Sequence, residues 1–370
     1  MQRRRFVAGL GAGVGASLAP SLTRGVQASL PPGAPGGLIQ LNSNENPYGP
    51  GPRALDAFAR AAGAAARYPD AAQEALVDAL ARHHGVSREE IVLGCGSSEI
   101  LQVADQAFLG GGRTLVSPDA TFEAVLFYAR ATKSETVKVP LTADFRHDLP
   151  AMARACGPAT GLVYVCNPNN PTGTIVTRDE MAAFLKAVPA TTAVLVDEAY
   201  HHFVEDPAYD SALTQRGLHA NVIVARTFSK IYGLAGLRLG YAVAARETAE
   251  ALRAFVAWDN VNAAVLAAAA AVLADEAHVA GQRRRLNATR AALCAELARD
   301  GRRFIPSHAN FLMIETGAGV KALVDGFRAR GILVGRFFES MPTWLRVSIG
   351  TDDEMRAFLA ALRALVPRSG

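Results

Sequence analysis

The chain predicts an α/β fold: a mostly parallel sheet covered by helices on both faces, followed by a smaller α+β C-terminal domain. Three observations predict it. From Ile91 to Ala244, short apolar runs rich in β-branched residues alternate with helix-length segments, the pattern of strands buried on both faces. Polar motifs follow the carboxyl ends of these runs, where open α/β sheets bind ligands. Beyond residue 260 the alternation gives way to alanine- and arginine-rich helices with a few short strands.

In chain order, residues 1–28 read as an export signal of the twin-arginine type, which places the protein in the periplasm or outside the cell. Arg3-Arg-Arg-Phe-Val is a charged start, Val7 to Ala19 is a Gly/Ala-rich apolar stretch, and Val26-Gln-Ala28 offers small-residue cleavage positions. A basic tail, with the protein in the cytoplasm, is the alternative. Gly11-Ala-Gly13-Val-Gly-Ala16 imitates a dinucleotide loop, but no βαβ unit surrounds it. Residues 29–66 give a Pro/Gly-rich linker, an irregular arm from Leu41 to Pro50, and a helix from Arg53 to Ala66.

Residues 67–260 form the large domain. Tyr68-Pro-Asp breaks the first helix, and Gln73 to His84 makes the second. Strands are expected at Ile91–Leu93, Thr114–Ser117, Thr136–Pro140, Gly161–Cys166, Ala193–Asp197, Val222–Ala225 and Gly240–Ala244, with helices ending at Phe108 and Ala131. Residues 261–370 form the small domain, with helices at Val261–Ala277, Arg283–Arg299, Val320–Arg330 and Asp353–Leu365 and strands near Phe311–Ile314 and Leu345–Ile349.

Composition narrows the function. Half the residues are hydrophobic and 19% charged, so the body is globular. Arg3, Arg4, Arg5 and Arg24, with no acid among residues 1–28, account for the whole formal net charge of +4. The remainder has no excess charge to attract nucleic acid. Ala263 to Ala274 is apolar but short and mostly alanine, suited to packing and not to stable membrane insertion. Cys95, Cys156, Cys166 and Cys294 lack metal-ligand spacing, so no metal is expected, while export would permit a disulfide.

The chemistry gathers around Thr227-Phe-Ser-Lys-Ile-Tyr-Gly-Leu-Ala-Gly-Leu-Arg238, which follows a buried strand. Lys230 is either a surface lysine or an amine whose pKa burial lowers, making it a nucleophile or base. Gly94-Cys-Gly-Ser97-Ser98-Glu is either a capping box or an anion site at a helix start. Ser229 and Arg238 could complete such a cradle. Asp197 ends a very apolar strand, where a carboxylate needs a cation such as a protonated heterocycle, a helix N-terminus or a metal. Asn167-Pro-Asn-Asn-Pro-Thr-Gly173 is either a plain turn or a loop fixing the Asn170 amide in a cleft. Phe122 is a core aromatic or a stacking platform for a flat ring. His201 and His202, adjacent, cannot chelate simply and read as structural or exposed.

Taken together, Asn167-Pro-x-Asn-Pro-Thr-Gly, Asp197-x-Ala-Tyr200, Ser229-Lys230 and Gly236-Leu-Arg238 resemble the fold-type I pyridoxal-phosphate (PLP) aminotransferases. Asn44-Glu-Asn-Pro-Tyr-Gly, Tyr68-Pro-Asp and Trp344-Leu-Arg346-Val-Ser-Ile-Gly are similar to the histidinol-phosphate aminotransferase branch, and the resemblance covers about residues 38 to 366. It implies a cofactor, pyridoxal 5'-phosphate, carried on the Lys230 amine, with Lys230 also moving the substrate proton. Asp197 would pair with the ring nitrogen, Tyr200 and Asn170 with the ring oxygen, and Phe122 would stack on the ring. Ser97, Ser98, Thr227, Ser229 and Arg238 would hold the phosphate, joined by Tyr68 from the second subunit of a homodimer. Arg346 would clamp the substrate carboxylate, while Asn310, Tyr48 and Arg336 would line the substrate pocket.

The partners implied are a small-molecule amino donor, histidinol phosphate-like or an aromatic amino acid, and a 2-oxo acid in a ping-pong exchange. Two positions depart from the branch. Ser98 stands where aspartate is frequent, and Gly335 stands where an arginine meets substrate phosphate, with Arg336 one residue later. An offset of one in a strand turns the side chain to the other face. A decarboxylase of the threonine-phosphate type is the alternative on the same scaffold, and a PLP-sensing regulatory domain is a more distant one.

Overall fold

The computed structural model describes residues 37–317 and 319–366. The export signal expected in residues 1–28 lies outside the described residues. The strands, in chain order, are β1 (Ile39–Leu41), β2 (Ile91–Gly94), β3 (Thr114–Pro118), β4 (Thr136–Val139), β5 (Thr160–Cys166), β6 (Ala193–Asp197), β7 (Val222–Thr227), β8 (Gly240–Ala244), β9 (Phe304–Ile305), β10 (Phe311–Glu315), β11 (Ile332–Val334) and β12 (Trp344–Ser348).

Seven strands form the main sheet in the order β2-β8-β7-β6-β5-β3-β4. β8 runs antiparallel to both neighbours, and every other pairing is parallel. Strand alternation divides the apolar residues between two cores. Val163, Val165, Val194, Val196, Val222 and Val224 face one side, packing with the helices Asp70–His84, Arg178–Ala187 and Ala263–Leu273. Leu162, Tyr164, Leu195, Ile223 and Ala225 face the other, against the helices Ser97–Phe108, Ala124–Ala131 and Arg246–Arg253. A sheet buried on both faces needs apolar side chains at every strand position, which is why its strands read as continuous apolar runs.

β12, β10 and β9 form a separate three-stranded antiparallel sheet. β1 pairs in parallel with β11. Several elements differ from expectation for local reasons. The first helix spans Pro52–Ala61 and decays into a 3-10 turn at Ala62–Ala64, because Gly63 weakens it. The arginine-rich helix starts at Glu276, seven residues early, where the Asp275 side chain accepts the His278 N–H. The helix Arg178–Ala187, absent from the expected elements, opens on a capping box of Thr177 and Glu180.

The four cysteines are free thiols, so the permitted disulfide does not form. His201 and His202 are part-buried and face tyrosine hydroxyls, Tyr209 and Tyr232, each at 3.1 Å. Among the described residues no single helix is long and apolar enough to cross a membrane.

Candidate active site

The carboxyl ends of β3, β5, β6 and β7 open onto one cavity of about 670 Å³. The arm residues Asn42 to Glu45 close one side of it, and side chains from β12 and the segment after β11 close another. Lys230 lies three residues past β7. Its Nζ donates to the Ser43 carbonyl at 3.0 Å and stands 5.6 Å from the centre of the Tyr200 ring. Burial first, then the Arg346 cation, pushes its pKa down to about 8.

Asp197, the last residue of β6, is buried. Its Oδ2 accepts the Tyr164 hydroxyl at 3.0 Å and its Oδ1 the Ala199 N–H at 3.1 Å. These neutral donors do not offset the loss of water, and burial pushes the carboxyl up to about 6. The Tyr200 hydroxyl accepts the Asn44 amide at 3.0 Å, and its ring meets Phe311 edge-on.

Opposite the lysine lies a cradle. The helix Ser97–Phe108 starts after Gly96, which has φ +80° and no side-chain cap. Ser97 and Ser98 are therefore helical residues with uncommitted first-turn N–H groups, and the capping-box reading fails. A Cβ on Gly96 would overlap Arg238 Nη2, and one on Gly240 would overlap Ser97 N. Arg238 sits at φ +60°, an uncommon conformation for a side-chain-bearing residue. Its Nη1 donates to Ser229 Oγ at 3.2 Å, and Thr227 Oγ1 accepts the Ser229 N–H at 3.0 Å. A helix start, hydroxyls and a guanidinium make a site for a phosphate-sized anion.

On β12, Arg346 is buried. Its Nη1 donates to Asn170 Oδ1 and its Nη2 to the Asn42 carbonyl, both at 2.7 Å, while Nε has no partner. The Phe311 and Phe338 rings flank it at 5.8 and 5.4 Å. A buried guanidinium answered by two neutral oxygens is built to receive an anion.

A family model for aminotransferase class I and II matches residues 37–362. The chain belongs to this family. It is 41% identical, over 89% of this chain and 86% of the relative, to histidinol-phosphate aminotransferase of Moorella thermoacetica. It is 40% identical, over 94% and 97%, to aromatic amino acid aminotransferase of Rhodococcus jostii. Histidinol-phosphate aminotransferase from Sinorhizobium meliloti, solved in complex with pyridoxal-5'-phosphate, superposes with a TM-score of 0.82 at 30% identity, covering 89% of this chain and 91% of that one.

The protein is a PLP-dependent aminotransferase, and these relatives do not favour the decarboxylase alternative. The aminotransferase cavity fits its cofactor: an anion cradle, a buried carboxylate lacking a cation and an amine of lowered pKa share one space. Ser97, Ser98, Phe122, Asn170, Asp197, Tyr200, Thr227, Ser229, Lys230, Arg238, Arg336 and Arg346 all line it.

Two expected site residues lie elsewhere in this chain, and a third, Tyr68, is expected only from a second subunit. Asn310 does not line the cavity: its amide turns back to the Asn44 and Glu45 carbonyls and braces the arm. Tyr48 lies under Arg285, whose guanidinium stands 3.6 Å from the ring centre, because the turn from Asn46 to Gly49 directs it towards the helix Glu276–Arg299. Tyr68 is exposed and outside this chain's cavity. The expected flip at position 336 does not occur either. β11 ends at Val334, and the alternation of the following segment puts Val334, Arg336 and Phe338 on the cavity side.

Sequence reasoning missed Asn44, which holds Tyr200 and shares two hydrogen bonds with Ser348. It also missed Tyr164, the donor to Asp197. The Asn44-Glu-Asn-Pro signature marked Asn44; nothing local marked Tyr164 inside its strand.

Proposed function

We propose that this aminotransferase takes its amino group from an aromatic L-amino acid or a histidinol phosphate-like amine and passes it to a 2-oxo acid by ping-pong exchange. The observation that carries the reading is Arg346: a buried, acid-free guanidinium between two aromatic rings, facing the same cavity as Lys230. That geometry suits a donor with an anionic group for the arginine and an aromatic body for the rings.

When bound, PLP supplies an electrophilic carbon and a ring that accepts the electron pair freed at the donor Cα. Lys230 Nζ would anchor the cofactor, and as a free amine it would take up the donor Cα proton. Its pKa, lowered to about 8, leaves about a tenth of the amine neutral at pH 7. Asp197 would keep the ring nitrogen protonated, and Tyr200 and Asn170 would orient the ring oxygen. The N–H groups of Ser97 and Ser98, with Thr227, Ser229 and Arg238, would hold the phosphate, and Phe122 would face the ring. Tyr68 of a second copy completes the cradle in a homodimer.

Single-turnover spectra with a panel of donors test the reading. Aromatic L-amino acids or histidinol phosphate should convert the cofactor, and Arg346→Lys should lower the rate constant for a carboxylate-bearing donor about 100-fold by losing the bidentate fork. Failure of both donor classes removes the specificity claim. The export signal belongs to the same proposal: Arg3→Lys with Arg4→Lys should abolish periplasmic delivery, and unchanged delivery refutes it.

A further inference from the structure

The outer end of the cavity holds a charge pair that the proton chemistry does not use. Gly335 N–H donates to the Arg346 carbonyl at 2.9 Å. A Cβ on Gly335 would stand 2.6 Å from that oxygen and 2.9 Å from Arg346 Cβ. Position 335 therefore has no room for a side chain, and the distal cation comes from Arg336. Its guanidinium lies 4.6 Å from the centre of the Phe338 ring, with Nη2 2.6 Å from Glu123 Oε2. Glu123 follows Phe122, which lines the cavity beyond β3, and its carboxylate meets Arg336 of the segment after β11. Both members of the pair are half-exposed, so the contact adds little to folding. Its place at the mouth gives it another consequence.

We propose that Glu123 is a specificity-determining residue of this aminotransferase. It occupies Arg336, which shares the Phe338 ring with Arg346, and thereby selects donors whose anionic group is a carboxylate over donors that carry a phosphate in its place. The proposal rests on the reading above that this cavity takes the donor. A ring entering beside Phe338, Val334 and Val324 buries apolar surface and leaves the ion pair intact. A phosphate, larger and more highly charged than a carboxylate, extends from Arg346 towards Arg336 and must displace Glu123, and the displaced carboxylate remains tethered at the same rim as a like charge. Selection then comes from a repulsive element as much as from an attractive one.

The test compares second-order half-reaction rate constants for L-phenylalanine and histidinol phosphate in the PLP-loaded wild type, Glu123→Gln, Glu123→Asp and Glu123→Gln/Arg336→Gln. Wild type should favour L-phenylalanine. Glu123→Gln should raise the phosphate-to-phenylalanine ratio about tenfold, the size expected for one like charge at a solvated rim. Glu123→Asp, which keeps the charge, should stay within about twofold of the wild-type ratio, and adding Arg336→Gln should cancel the gain. Three results overturn the proposal and leave the cavity reading standing: a wild type that prefers histidinol phosphate, a ratio unmoved by Glu123→Gln, or a gain that survives loss of Arg336. A wild type that reacts with neither donor overturns the cavity reading, and this proposal with it.

Discussion

Asp197 and Lys230 are shifted in opposite directions by the same burial, since burial disfavours whichever form carries charge. For Asp197 the cofactor-free folded state holds its proton up to about pH 6, against an ordinary value of 3.8. Between those values the folded protein binds more protons than the unfolded chain, so this group's contribution to stability falls as pH rises through the window. The full loss is about 3 kcal/mol. In urea unfolding of the cofactor-free protein, Asp197→Asn should therefore gain on wild type between pH 4 and pH 7, and the gain should shrink or reverse once PLP is bound. A difference that ignores pH would remove the electrostatic account of this residue. Lys230 gives the complementary expectation. Covalent capture of the PLP aldehyde by the cofactor-free enzyme, followed as borohydride-fixed absorbance, should rise with a midpoint near pH 8, where burial places the amine. A midpoint near 10 would mean that the amine is solvated.

The helix Ser97–Phe108 shows how one element can be legible while its use is not. A strand, a glycine turn and two serines mark a helix start, but a capping box and an anion cradle share that spelling. Gly96 separates them, through a backbone angle and a contact with Arg238 that no local pattern records. Gly96→Ala meets both obstacles, a left-handed φ and a Cβ inside the guanidinium's space. It should cost about 1–3 kcal/mol of stability and weaken PLP binding about tenfold or more as the arginine is displaced. Equilibrium titration of the apoenzyme checks the second figure, and an unchanged affinity would take Arg238 out of the cradle. The main-sheet strands were readable because continuous apolar runs admit few other folds. Tyr48 was misjudged because its place in the arm signature says nothing about which way a side chain leaves a turn, and Asn310 because its amide binds arm carbonyls that lie far away in sequence.

Across the whole molecule, the arm from Asn42 to Asn46 ties the two sheets together. Asn44 bonds Tyr200 beyond β6 and Ser348 on β12, the Asn42 carbonyl accepts from Arg346, and Asn46 donates to the Ile231 carbonyl. Such long-range bonds explain why an irregular, polar segment was visible as a motif but silent about its contacts. The surface carries a further signal. Trp258 is 95% exposed and Tyr68 78% exposed, large aromatic areas to leave in water. The Trp258 loop is bound to the cradle, because Glu99 accepts from Asn260 Nδ2 at 2.6 Å and from Cys95 N–H at 2.5 Å. A second copy covering Trp258 would steady the turn that leads into Ser97, while its Tyr68 reached the phosphate. Wild type should therefore sediment as a dimer at micromolar concentration. Trp258→Asp should dissociate it and lower PLP affinity about tenfold or more, since an anchor and its cradle are lost together. Tyr68→Phe should keep the dimer and weaken only the cofactor. A monomeric wild type, or a Trp258→Asp dimer with undiminished PLP affinity, would detach the cradle from any partner.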